Sequence, residues 1–386
     1  LKGDRLVHKL TYFPIGNADC CRVDLANGKK LLFDFADTRN PDDPDDRRCD
    51  LPRELRDDLD GAGRKNFDVV AFSHLDEDHF RGASHFFWFE HDVSLQGRDR
   101  IKIDELWVPA GLLLEVLPRD EGHAEHRRVQ DEAIHRFRRG ERVRVFGRPS
   151  ALRDWCGKKG IPFEQRQHLI TDAGRVVEGF TLAVDGVEFF AHSPFGWRID
   201  QDTVEDRNLN NLLLHGSFLA GQRVTKVLFT ADSPHECLSD VVNITRSKGN
   251  EDRLEWHVGK PPHHCSYGSI GPEKGDDVTE PTDQVRWLWC DQQQGNGILI
   301  CSSKPTPIKG TAEDVDPQPP HRQAANFYKQ ALNGDSSDDF RVTMEYPRVS
   351  RPRPLVIIID GDGPAIDKGL PSIGIAVGSS QPPRAG

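Results

Sequence analysis

The apolar run Phe67-Asp-Val-Val-Ala-Phe72 leads straight into Ser-His-Leu-Asp-Glu-Asp-His-Phe-Arg-Gly, so His74, Asp76, Asp78 and His79 fall within six consecutive positions behind it. This pattern reads as a metal-binding loop at the end of a buried strand. At strand-like period two, His74, Asp76 and Asp78 project to one side, and the adjacent His79 turns toward a second ion. Two cations a few ångströms apart are the expected occupants. A solvated polar turn is the plain alternative, but imidazoles and carboxylates alternating at this spacing between an apolar strand and Arg81-Gly82 weigh against it.

The chain is long enough, at 386 residues, for one large domain with an extension, or for two domains. Charged residues make up 29% and mean hydropathy is −0.61, and no apolar stretch approaches the roughly 20 residues of a membrane helix. No membrane association is expected. The opening residues, Leu1 to His8, lack the apolar centre of a secretory signal. The eight cysteines are scattered without CxxC pairs, which fits a reducing cytoplasm and small core side chains.

Short apolar runs fall into two groups around a helical middle. Strands are expected at 6–13, 21–25, 30–35, 67–72 and 105–109, with a helix over 51–59 and a polar loop over 36–50. Residues 125–159 read as mainly helical, interrupted near Gly140 and Pro149. Further strands are expected at 179–184, 187–192, 209–215, 226–230, 254–258 and 297–301. Two strand groups of similar size point to a two-layer sheet sandwich.

The second group carries further candidate ligands at strand ends. His192 follows Val187-Glu-Phe-Phe-Ala191, Asp232 closes Val227-Leu-Phe-Thr-Ala231, and His263-His264-Cys265-Ser266 follows the turn Gly259-Lys-Pro-Pro262. Each alone reads as a turn or capping residue; the ordered set after His74 to His79 is the stronger signal.

With these residues in place, the chain resembles the metallo-β-lactamase superfamily, and within it the branch of ComEC-type competence proteins and phosphorylcholine esterase domains. That branch puts Asp where the superfamily's HxHxDH has its second His, as Asp76 does. Gly16-Asn-Ala-Asp19 with Leu31-Leu-Phe-Asp34 resembles the opening "GqGda…lliDtG", Asn208 to Leu214 the "NnxSlvl" strand, Phe229-Thr-Ala-Asp232 "ltGDa", and His263 to Ser266 "HHGS". The resemblance spans about residues 8–305 and implies an α/β fold, an αββα sandwich of two mixed sheets flanked by helices. It implies one ion on His74, Asp76 and His192, another on Asp78, His79 and His264, and Asp232 bridging. Asp34 would orient the loop, and His263 would contact the scissile group. Which of His263 and His264 faces inward is left open by the sequence. Cys265 stands where the pattern has Gly, which puts a thiol near the site.

Two divalent ions would lower the pKa of a bridging water to about 7 and stabilise charge on phosphoryl or acyl oxygens. Asp78, Asp232 and His263 are the catalytic candidates. The extra carboxylate of Asp76 tilts the preference toward Mn²⁺, ahead of Zn²⁺. The expected activity is a phosphodiesterase, foremost a nuclease on DNA or RNA. A small-molecule hydrolase on a phosphodiester, lactone or thioester, which the net charge of −11 suits, and a metal-bearing sensor or scaffold are the alternatives. Support for nucleic acid comes from the Arg-rich stretch 127–148, where Arg136, Arg138, Arg139 and Arg142 could track phosphates; a solvated helix face followed by an edge strand is the plainer reading.

Residues 1–305 are expected to form the hydrolase domain, and 306–386 a linker and C-terminal extension packed on it, with a possible protein partner. The stretch 302–322 reads as a Pro-rich linker, 323–332 as a helix, 333–339 as a polar turn, and 341–346 and 354–360 as strands.

Overall fold

The computed structural model describes residues 7–194, 207–332 and 339–368. Its strands, in chain order, are β1 (His8–Tyr12), β2 (Cys21–Asp24), β3 (Lys30–Phe33), β4 (Asn66–Ala71), β5 (Lys102–Pro109), β6 (Val143–Phe146) and β7 (Ile170–Thr171). There follow β8 (Arg175–Val176), β9 (Val187–Ser193), β10 (Leu213–Ala220), β11 (Arg223–Phe229), β12 (Trp256–Gly259), β13 (Gln293–Cys301), β14 (Phe340–Val342), β15 (Leu355–Asp360) and β16 (Gly363–Ile366). Among the described residues they form two sheets, ordered β16-β15-β1-β2-β3-β4-β5-β6-β7 and β14-β13-β12-β11-β10-β9-β8. Both are mixed: β1, β2 and β3 pair antiparallel while β3 to β7 run parallel, and β9 to β11 pair antiparallel while β11 to β14 run parallel.

The packing is α/β in four layers, two sheets face to face with helices outside. Between the sheets lie Leu10, Val23, Leu31, Val69, Ala71, Trp107, Phe189, Phe229, Val258 and Ile300. Phe33 stacks on Phe229 with ring centroids 4.5 Å apart and so joins the layers directly. On the outer face of the first sheet Val70 and Phe72 pack with Leu51, Leu55 and Leu59 of the helix Leu51–Gly61 and with Val129, Ala133 and Phe137 of the helix Ala124–Arg139. On the outer face of the second, Trp256 and Leu299 pack with Val241, Trp289 and Tyr328. Strand β4 is thus apolar on both sides because both of its sides are buried.

The structure departs from the sequence reading in particular places. Residues 182–185 are helical rather than extended, because Thr181 caps a short turn by accepting from Val184 N and Gly186 ends it at φ 68°. Within the stretch read as helical, Gly140 ends the helix Ala124–Arg139 at φ 87° and β6 follows, paired on both sides with β5 and β7 and so not an edge. Residues 207–210 form a 3-10 turn ahead of β10, and 343–345 another after β14. The Pro-rich stretch after 302 is tied down: Lys304 N donates to Asn17 Oδ1 at 2.9 Å, and Asn17 Nδ2 donates to the Pro319 carbonyl at 2.5 Å. The polar turn expected at 333–339 falls, but for Asp339, outside the described residues.

The late strand β15 pairs antiparallel with β1 along its length, His8 opposite Ile359 and Tyr12 opposite Leu355. Leu355, Ile357 and Ile359 are fully buried between the sheets, and Val356 and Ile358 are half-buried. Truncating Ile357 to Ala should cost about 2–5 kcal/mol, the usual range for a fully buried Ile, and Ile358→Ala clearly less. Urea unfolding of both variants checks this; equal costs would mean that β15 does not hold this register.

Candidate metal centre

The carboxylate of Asp34, just past β3, organises the loop that follows β4. It accepts from Ser73 N at 2.7 Å and Ser73 Oγ at 2.8 Å, and His79 Nδ1 donates to it at 2.9 Å. Asp34 itself sits at φ 58°, a left-handed conformation that costs a non-glycine residue free energy and is held by these three bonds. Ser73 Oγ also lies 3.0 Å from His74 Nδ1. Beyond Asp76, which is extended, the chain turns into the short helix Glu77–Phe80. The loop is therefore not a continuous strand, and the helical turn lets the adjacent Asp78 and His79 face the same point.

That point is completed from the second sheet. Asp78, His79, Asp232 and His264 offer ligand atoms that all lie within 4.8 Å of one another. His79 Nε2 is 3.3 Å from Asp232 Oδ2, and His264 Nε2 is 3.5 Å from the same oxygen and 2.9 Å from Asp78 Oδ2. These separations are those of neighbouring ligands around one cation with bonds near 2.1 Å. His264 Nδ1 donates to the Ser302 carbonyl at 2.8 Å. As in His79, the outer nitrogen is anchored, which leaves Nε2 free to coordinate a cation.

The fit to a cation is supported by unsatisfied atoms. His79 Nε2, His74 Nε2 and Asp232 Oδ1 are buried without a hydrogen-bond partner among the described residues, an arrangement that is costly unless something else meets them. Asp19, Asp34 and Asp232 gather around the positive charge of the buried Lys260. Lys260 Nζ pairs with Asp19, lies 3.6 Å from Asp232 Oδ1 and donates to the Ala231 carbonyl at 2.8 Å. A second grouping, Asp19, Asp34 and His79, already contains that ammonium.

Electrostatics follow from this excess of carboxylates. Burial by itself disfavours the charged form of Asp232, yet His264, His79 and Lys260 outweigh it and hold its pKa far below the usual range. Asp78 is lowered against its burial by His79 and His264. Burial pushes His79 and His264 down, but Asp232, with Asp34 and Asp78 for His79 and with Asp78 for His264, raises both, His264 to about 9.

His264 faces inward, whereas His263 stands at the rim, a third exposed, with Nε2 4.0 Å from Asp232 Oδ2. His263, His264 and Cys265 are all left-handed, at φ 47°, 51° and 69°. The Cys265 side chain is buried in the outer core beside Tyr328 and Cys301, not in the cluster. His74 Nε2 lies 3.4 Å from Asp76 Oδ2, and its ring is 4.0 Å from that of His79.

His192 corrects the sequence expectation. Its Nε2 donates to the Arg253 carbonyl at 2.9 Å and its Nδ1 meets Thr245 Oγ1 at 3.2 Å, so both nitrogens are engaged on the outer face of the second sheet. Burial lowers its pKa to about 4. Successive residues of a strand point to opposite faces, and position 192 has the parity that looks away from the cluster.

The arginines are corrected too. Arg136 is buried, pairs with Glu132 at 2.7 Å one helical turn away, and donates to the Ile103 and Arg142 carbonyls. Arg139 and Arg142 converge on Glu90. Arg138 is exposed. Ile103 is level with Phe67 in the parallel pair β4–β5, whereas the cluster follows Ala71, so these arginines sit at the opposite end of the sheet, roughly 13 Å further along the strands.

The sequence reading missed Ser73, Lys260, Arg207 and Glu115. Ser73 could have been suspected from its place between the strand and His74; the other three carry no local signal. Arg207 donates from Nη1 to Asp76 Oδ1 at 2.9 Å and from Nε and Nη2 to Glu115.

No family model matches the chain, and no curated protein does. Among solved structures, a diphosphatase described as new and from the PhnP family is similar at 11% identity and a TM-score of 0.28, over 76% of this chain and 85% of that one. No described helix is long and apolar enough to cross a membrane.

A histidine raised in the folded state stabilises the fold fully below its unfolded pKa, and that contribution is lost as pH rises through the folded value. For His264 the window runs from 6.5 to about 9, on the order of 3 kcal/mol for a shift of this size. With metal removed by a chelator, the wild-type chain should therefore lose more thermal stability between pH 6.5 and 9 than His264→Gln does. Parallel melting curves of the two proteins would refute the coupling.

Proposed function

We propose that the chain is a metal-dependent hydrolase that cleaves a small anionic phosphodiester. The observation that carries this reading is the cluster of Asp78, His79, Asp232 and His264, with buried His79 Nε2 and Asp232 Oδ1 lacking a hydrogen-bond partner among the described residues. These four residues would hold a divalent ion, Zn²⁺ or Mn²⁺, both of which accept mixed imidazole and carboxylate ligands. When bound, such an ion acts as a Lewis acid and lowers the pKa of a water.

The chain's own residues supply the rest. Asp34 and the Ser302 carbonyl fix the orientation of His79 and His264. Asp78, a third exposed beside buried partners, can accept a hydrogen bond from an attacking water and orient it. His263 stands at the rim with its pKa lowered by burial against the pull of Asp232, so it is neutral near pH 7. It can accept a proton there or hydrogen-bond the leaving oxygen.

A phosphoryl substrate is favoured by the guanidinium of Arg207 held beside the cluster through Asp76. A compact substrate is favoured over nucleic acid because Arg136, Arg139 and Arg142 are occupied by acids and backbone carbonyls and the chain carries a net charge of −11.

Hydrolysis of bis(p-nitrophenyl) phosphate with Zn²⁺, Mn²⁺ or EDTA, beside a fluorescent oligonucleotide panel, tests this reading. EDTA should abolish turnover, and Asp78→Asn and Asp232→Asn should each lower kcat/KM by about a hundredfold or more. Arg138→Ala with Arg139→Ala should leave it unchanged. Turnover that survives EDTA would sink the metal reading, and efficient cleavage of oligonucleotides alone would replace the small substrate by nucleic acid.

A further inference from the structure

The cluster is lopsided. One side offers two imidazoles and two carboxylates around a single point. On the other, His74 Nε2 and Asp76 Oδ2 stand 3.4 Å apart, a separation two ligands of one ion could have, but no third described ligand joins them. His192, which would complete that position, spends both ring nitrogens on Thr245 and the Arg253 carbonyl. The second ion expected from the sequence therefore does not fit the described residues as the first does.

What this side contains is a cation of another kind. Arg207 donates from Nη1 to the second oxygen of Asp76, Oδ1, at 2.9 Å. Nε and Nη2 donate to the Glu115 carboxylate, the latter at 2.6 Å. Asp76 has its pKa pushed far down, against burial, by His74 and Arg207. A guanidinium has five N–H groups, and among the described residues these contacts engage three of them, which leaves two for a further acceptor. The side chain keeps about a fifth of its surface exposed, so an anion arriving from solvent can reach it. Glu115 fixes the guanidinium from behind, which lowers the entropy lost when an anion binds.

We propose that this centre holds one resident divalent ion, on Asp78, His79, Asp232 and His264, and that Arg207 supplies the second positive charge, as the residue that positions a phosphoryl oxygen of the substrate. The inference rests on the metal-dependent reading above and deepens it. A fork of N–H donors suits the oxygens of a tetrahedral phosphoryl group. It also draws on the charge of Asp76 and so disfavours a second ion beside His74. Removing Arg207 should therefore do two opposite things, strengthening metal binding at His74 and Asp76 and weakening substrate binding. A merely structural arginine would do neither.

The test uses the full chain, stripped with chelator and titrated with Zn²⁺ by calorimetry, with metal content measured after gel filtration. Wild type should retain one ion per chain. Arg207→Gln should retain one and bind a second at least tenfold more tightly than wild type does. With bis(p-nitrophenyl) phosphate, the KM of Arg207→Gln should rise tenfold or more with a smaller change in kcat, and Arg207→Lys should recover part of the loss. Glu115→Gln, which keeps the guanidinium but loosens its tether, should show the same KM effect at reduced size, and it serves if Arg207→Gln does not fold. Two ions retained equally tightly by wild type would overturn the inference while leaving a metal-dependent hydrolase intact. So would an unchanged second-ion affinity and KM in the folded variants. Retention of no ion at all would overturn the metal reading and this inference with it.

Discussion

The burial of apolar surface between the two sheets is what the rest of the molecule depends on. Val69, Ala71, Phe33 and Trp107 on one side meet Phe189, Phe229 and Val258 on the other, and sheets stacked this way lie about 10 Å apart. Once they are stacked, the loops after β3 and β4 and those after β11 and β12 open on one edge. Asp34, the segment Ser73–His79, Asp232 and His264 all come from those loops. These side chains are brought together by a core that none of them belongs to.

The cluster then poses an electrostatic problem that the fold meets only in part. Buried carboxylates are costly unless paired. Lys260 answers for Asp19 and partly for Asp232. Arg207 answers for Asp76, shared with Glu115. Asp78 and Asp232 are left to the imidazoles of His79 and His264, whose outer nitrogens are already fixed by Asp34 and the Ser302 carbonyl. A divalent ion at that point would relieve the remaining charge and satisfy the orphaned His79 Nε2. The left-handed backbone at Ala231 and at residues 263–265 is strain of the kind that collects where a site must be held in shape.

How much of this was legible varies with the range of the interaction. The segment His74–His79 could be read because the residues adjoin an apolar strand, Asp232 because it closes one, and His264 because it follows the turn after another. The helix Leu51–Gly61 showed its apolar face at Leu51, Leu55 and Leu59. By contrast, the arginine cluster looked like a groove because the sequence hides Glu90, which lies some fifty positions from Arg139 yet binds it and Arg142. His192 looked like a ligand because strand parity relative to a distant cluster depends on register, and a shift of one residue reverses the face.

The sequence by itself determined the local chemistry: which strands are buried on both faces, where the turns fall, and which imidazoles and carboxylates stand at strand ends. These are properties of neighbouring residues, set by backbone periodicity and side-chain polarity. Only the tertiary structure decided which of those groups share a point in space. It set His264 rather than His263 inward, turned His192 to the outer face, brought Lys260 and Arg207 beside the carboxylates, and sent Arg136 into the helix–sheet core. Those outcomes rest on contacts between residues tens to hundreds of positions apart, whose geometry is fixed by the packing of one sheet on the other.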